Sequence, residues 1–249
     1  MATISNPRTG QVFRYFVNLS VYDTLKRLRN YRGFAGGAGL KYEDILSTIG
    51  KIDLDKLNDA QKKGLAHILN NFDTAKGLPS DTVAFFKSSG ATFEVLDIVK
   101  HIDQIADIQK TIPITSPSGL NLKRVYDYVL KDGWNVDKKA WSPAAIQGRI
   151  KQSMKADLLI PGEETTGQIF RDIIAAQKGI KVRWSFDARS NGVLTPAQIK
   201  EMVEKAALNE FPSLAKAFKL NPKDYEKIAT KKKFIDDILE NFDIEIGDF

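Results

Sequence analysis

Apolar residues three and four positions apart, many of the runs opened by a helix-start residue, recur along the whole chain, and this spacing most restricts the fold. Side chains at i, i+3, i+4 and i+7 share one helix face, and that face must be buried against something. Ser20 can cap a helix that turns Val21, Leu25 and Leu28 inward. Tyr42, Ile45, Leu46 and Ile49 form a second stripe, stopped by Gly50. Asn58 and Gln61 open a run with Leu65, Ile68 and Leu69; Ser80 opens one with Val83 and Phe86. Thr92 precedes Val95, Ile98, Val99, Ile102 and Ile105. Leu122, Val125, Tyr126 and Val129 read as a further helix. Ser142-Pro143 combines a capping side chain with proline at the first helical position, before Ile146, Ile150, Met154 and Leu158. Thr165 and Gln168 form a capping box before Ile169, Phe170, Ile173 and Ile174. Thr195, Pro196 and Gln198 lead into Ile199, Met202, Val203 and Ala206, and a last helix is expected to hold Phe234, Ile235, Ile238, Leu239 and Phe242.

Only Ile180 to Phe186 alternates as a strand does. One isolated strand makes no sheet, so it reads as an extended link or irregular helix. The expected fold class is all-α.

The segment Val12-Phe13-Arg14-Tyr15-Phe16-Val17 is too apolar to rest in water. It should pack on its own domain or on a neighbour. The glycines Gly33, Gly36, Gly37 and Gly39 follow as a hinge, which is what an exchanged arm needs. Candidate interface residues are Val12, Phe13, Phe16, Val21, Leu25 and Leu28. The stretch from Thr111 to Gly119 carries two prolines and a glycine and reads as a linker. The expected organisation is an arm and hinge over 1–34, an N-lobe over 35–114 and a C-lobe over 115–249.

Lysine and arginine number 37 against 31 acidic residues, a net charge of +6, which suits a polyanionic partner. The cations are spread along the chain, so a basic groove is expected rather than a basic tail. Cysteine is absent, which excludes disulfides, cysteine-held zinc or iron–sulfur clusters and thiolate nucleophiles. The first residues do not read as a secretory signal, and no stretch approaches the ~18 apolar residues of a membrane span, so no membrane insertion is expected. The two histidines, His67 and His101, lack the further ligands a metal site needs. The glycine run matches neither phosphate-loop pattern, and Asp236-Asp237 and Glu163-Glu164 are adjacent pairs that point to different helix sides. No catalytic residue, metal or cofactor is expected, and the chain reads as a non-enzyme.

Single-stranded nucleic acid is held by a cationic groove together with side chains that stack on bases. Candidate phosphate contacts are Lys76, Lys87, Lys123, Arg124, Arg149, Lys151, Lys155 and Arg183; candidate base contacts are Tyr31, Phe34 and Trp184. Arg149 follows Ile146 by three and precedes Ile150, so it flanks the apolar stripe as a groove wall would.

Several short elements stand in a characteristic order. An aromatic-x-Gly-Phe element occurs at Tyr31-Arg32-Gly33-Phe34, and a helix start at Asp59-Ala60-Gln61-Lys62. Another start follows at Ser88-Ser89-Gly90-Ala91-Thr92, then Leu120-Asn121-Leu122-Lys123-Arg124-Val125. Ser142-Pro143-Ala144, Ile160-Pro161-Gly162, Trp184-Ser185 and Lys232-Lys233-Phe234-Ile235 complete the series. In that order they resemble the nucleoproteins of phleboviruses and their tenuivirus and phenuivirus relatives. The family's basic cluster after the second N-lobe helix is thin here, where Asn70-Asn71-Phe72-Asp73 stands instead.

The resemblance implies two helical lobes around a basic cleft, with single-stranded viral RNA held there largely without sequence preference. It implies rings or filaments built by exchange of the arm, the viral polymerase as a further partner, and a place in the virion and host cytoplasm. The alternative is a helical capsid or matrix protein that assembles without an RNA cleft.

Overall fold

The computed structural model describes residues 2–5, 12–15, 56–62, 94, 97–98, 100–139, 141, 143–157, 165–187 and 194–247. For 2–5, 12–15, 156–157 and 165–166 it describes the backbone alone. The chain divides into two units, one of residues 1–110, 127–131 and 249, the other of residues 111–126 and 132–248.

In the first unit, β1 (Ala2–Ser5) pairs antiparallel with β2 (Val12–Tyr15). Val12 and Phe13, expected in the arm, therefore lie on a hairpin strand. Phe16, Val21, Leu25, Leu28, Tyr31, Phe34, Lys76 and Lys87 fall outside the described residues. The helix start read at Asn58 is present. Asn58 N donates to Gln61 Oε1 and Gln61 N to Asn58 Oδ1, both at 2.8 Å. The Gln61 amide also donates to Ile105 O at 2.8 Å. Tyr128 donates to Asp97 Oδ2 at 2.6 Å, and both are buried.

The all-α expectation is overturned by a mixed five-stranded sheet of order β3-β4-β5-β8-β9. Its strands are β3 (Ile105–Thr115), β4 (Asn121–Leu130), β5 (Asn135–Lys139), β8 (Val182–Asp187) and β9 (Phe242–Gly247). The short links at 116–120 and 131–134 can join only antiparallel neighbours. Beyond β5 the sheet is parallel. Asp137 pairs with Trp184 and Trp184 with Ile244. Parallel neighbours need long crossovers, and the helices supply them. Between β5 and β8 lie α1 (Pro143–Met154), the two-residue strands β6 (Ala156–Asp157) and β7 (Thr165–Thr166), and α2 (Gln168–Gln177). Between β8 and β9 lie α3 (Pro196–Asn209), α4 (Phe211–Phe218) and α5 (Ile228–Leu239).

The helices share one core with one face of the sheet. Ile146, Ile150 and Met154 of α1 join Phe170, Ile173 and Ile174 of α2, Ile199 and Val203 of α3, Leu214 of α4 and Ile238 of α5. The sheet contributes Leu122, Tyr126, Val182, Trp184, Phe186, Phe242 and Ile244. Two local devices set the helix entries. Thr195 caps α3 through a capping box, its hydroxyl accepting from Gln198 N at 3.2 Å. Gly167, ahead of α2, lies so close to α1 that a Cβ there would overlap the Ser153 carbonyl.

Each misread segment has a physical reason. In β4, Leu122, Arg124, Tyr126 and Tyr128 are buried, while Asn121, Lys123 and Val125 are exposed. That is period two, but an inward arginine hides it, and Leu122, Val125, Tyr126 and Val129 mimic a helical stripe. β5 buries all five residues with one aliphatic among them, so hydropathy carried no signal. In β3 the run of extended residues is interrupted at Gln109, whose φ of 55° breaks the alternation. Ile102 and Ile105, placed on one helix face by spacing, lie in a 3₁₀ turn and at the start of β3. Thr111–Thr115, expected as linker, is the end of β3, and residues 116–120 are its turn. The last helix ends at Leu239, and Phe242 begins β9.

Candidate nucleic-acid interface

Arg124 does not reach the surface. On β4, alternation turns it towards α2, where its Nε donates to Asp172 Oδ1 at 2.8 Å and its Nη2 to Asp172 Oδ2 at 3.3 Å. Nη2 also pairs with Asp137 Oδ2, and Nη1 donates to Val125 O at 2.7 Å. Asp172 is fully buried and accepts two more bonds, from Tyr126 Oη at 2.9 Å and Trp184 Nε1 at 2.8 Å. Lys139 pairs with the same Asp137 and donates to Gln168 Oε1 at 2.9 Å. Two cations and two carboxylates thus neutralise one another in a low-dielectric layer between sheet and α2. Burial first, and then the Asp172 carboxylate, pushes the Tyr126 phenol far above its ordinary value. The cluster does the work of a staple. Asp172 already accepts four bonds, and among the described residues no group of three or more acidic, histidine or cysteine side chains could hold a metal.

Trp184, expected to stack on a base, is fully buried in this layer. Its ring meets Trp141 edge-on, centroids 5.3 Å apart at 90°. Arg183, its neighbour, faces the other way. Nε donates to Asp243 Oδ2 at 2.8 Å, Nη1 lies 3.4 Å from Glu245 Oε2, and the guanidinium stands 4.7 Å from the Trp134 ring centroid. Two carboxylates already meet its charge. Lys123 is exposed on β4.

The remaining candidates converge on α1. Ile146, Ile150 and Met154 bury the inner stripe. Gln147, Gly148, Arg149, Lys151, Gln152 and Lys155 are exposed, and no acidic residue occurs from Pro143 to Lys155. A helix turns ~100° per residue, so Arg149 and Lys151 fall on opposite flanks of the outer face. Gly148 and Gln152 lie between them, and Lys155 extends the Lys151 flank. Among the described residues no carboxylate pairs with Arg149, Lys151 or Lys155. The Arg149 guanidinium lies 5.7 Å from the centroid of Trp141. That indole is half-buried, wedged edge-on against Trp184 and against Phe186 at 5.9 Å. Lys139 sits 5.4 Å from its centroid. The arrangement offers cations for phosphate oxygens, amides for sugar and base edges, and a partly exposed indole held rigidly at the foot of the helix.

Sequence reasoning named Arg149 and Lys151, which lie on α1, and Lys155, which follows its end, but did not single out Trp141 or Gly148 beside them. A strand-parity reading would have helped. On a strand carrying Lys181 and Arg183 outward, Trp184 must point inward. Trp141 stands beside the start signal Ser142-Pro143 of an acid-free helix, and that was the available signal. Comparison of the chain with protein-family models, curated proteins and solved structures finds no match in any of the three.

Proposed function

We propose that the protein binds single-stranded RNA through its phosphates, largely without sequence preference, and that the outer face of α1 is the contact surface. The observation that carries this is the charge of Arg149, Lys151 and, just past the helix end, Lys155, which no carboxylate meets among the described residues, on an exposed face with no acid from Pro143 to Lys155. A solvated surface helix gains from mixing signs through i,i+4 pairs, and this one forgoes them. Trp141 gives a stacking platform beside the charges. The larger reading, encapsidation of a viral genome by arm-linked copies as in the nucleoproteins named above, rests on the resemblance alone. It is carried here without the all-helical cleft and without Arg124 or Trp184 as RNA contacts.

The test is fluorescence anisotropy of a labelled 20-nucleotide oligouridylate across a salt series. Three phosphate contacts give a slope of log K on log salt near −2, or roughly an 18-fold loss of affinity between 50 and 200 mM. Absence of binding at 50 mM salt, or a slope near zero, would reject the proposal.

A further inference from the structure

Gly148 occupies an interior, exposed position of α1, and nothing among the described residues asks for glycine there. Its φ is not positive, and beyond the helix's own backbone a Cβ would meet no heavy atom of them within 4 Å. Glycine is the least favourable residue in a helix interior after proline. A glycine there leaves the helix backbone open to close approach from outside, one of the uses to which glycine is put. What surrounds it states the chemistry of that approach. Arg149 lies on one flank, Lys151 and Lys155 on the other, Gln152 one turn on and Ala144 one turn back, all exposed and without a carboxylate among them.

We infer that the sugar–phosphate backbone of the bound strand crosses α1 at Gly148, lying against the helix backbone, with its phosphates shared between the Arg149 and Lys151 flanks. This rests on the reading of α1 as the RNA face and deepens it by naming the crossing point. The missing side chain leaves a shallow saddle between two cationic walls. A side chain there would lift the strand by about a methyl diameter or more, and charge-assisted hydrogen bonds do not tolerate such displacement. Trp141 lies beyond the Arg149 flank, so a base next to the crossing phosphate would reach its ring.

The experiment compares Gly148→Ala, Gly148→Leu and Lys151→Glu/Lys155→Glu with the parent chain. Each is measured for oligouridylate affinity by anisotropy, for thermal midpoint by circular dichroism and for mass by light scattering. Gly148→Ala is expected to raise the midpoint by roughly 2–4 °C, because a better helix former replaces glycine without a clash. The same change should weaken RNA binding about ten-fold, the loss of one charge-assisted contact, and Gly148→Leu should weaken it further. A variant that is more stable and yet binds more weakly cannot be explained by damage to the fold. If both glycine variants bind as the parent does while the charge reversal loses affinity, the crossing at Gly148 is overturned and the RNA face stands. If neither change alters affinity, the RNA face itself falls. If Gly148→Leu changes the mass while RNA affinity is untouched, a helix of a second copy occupies the saddle and the inference is overturned.

Discussion

Removing the Asp172 carboxylate should cost this protein a large part of its stability, although the residue touches no surface. Asp172 accepts from Arg124 Nε and Nη2, Tyr126 Oη and Trp184 Nε1, all buried. Asp172→Ala leaves the phenol and the indole N–H without an acceptor, at roughly 1–3 kcal/mol each. It also removes one of the two carboxylates that the described residues set against Arg124 and Lys139, and breaking a buried ion pair from one side costs about 3–5 kcal/mol. These contributions overlap, so a loss of about 4–6 kcal/mol is expected, against a total near 5–15 kcal/mol for a typical domain. Asp243→Ala is the control. It removes a partner of Arg183 that is 43% exposed, and should cost less than about 1 kcal/mol. Urea unfolding followed by tryptophan fluorescence and circular dichroism measures both. A loss under about 1 kcal/mol for Asp172→Ala, or equal losses for the two, would refute the view that this network holds α2 to the sheet.

Gly167→Ala should destabilise by about 1–3 kcal/mol or prevent folding, because its Cβ would overlap the Ser153 carbonyl; the urea midpoint reports it. Thr195→Ala removes the acceptor for Gln198 N and should cost about 1 kcal/mol by the same assay. The Tyr126 phenol is raised above its ordinary value near 10, so its neutral form is what the fold keeps. Its contribution to stability is fully present below about pH 10 and is lost as pH rises further, because the unfolded chain releases the proton first. Tyrosinate absorbance at 295 nm should therefore show a phenol that ionises only as the protein unfolds, and Tyr126→Phe should remove that component.

Much of the helical half of the fold was legible, because its signals are local. Pro143 opens α1 and the Thr195 box opens α3, and Ile146, Ile150 and Met154 face inward as their spacing requires. The sheet was not legible, because the residues that define it are charged and turned inward. Arg124 on β4 and Asp137 and Lys139 on β5 occupy positions where alternation calls for apolar side chains. They are tolerated only because Asp172, on a helix and 33 or more residues further along the chain, completes the network. A pairing at that separation has no local signature. The same fact moves the proposed interface. Arg124 and Trp184 carry residue types suited to RNA, yet the network consumes both, and Arg149 and Lys151 on α1 have no carboxylate partner among the described residues.

The most direct test of RNA binding by α1 is a matched pair of charge reversals in the oligouridylate anisotropy assay. Lys151→Glu/Lys155→Glu is set against Lys216→Glu/Lys219→Glu, which changes net charge equally at two exposed lysines of and just beyond α4. The α1 variant should lose at least about 30-fold in affinity, and its salt slope should fall from near −2 towards −0.7, while the control keeps its slope. Equal losses from the two variants, or no loss from either, would contradict it.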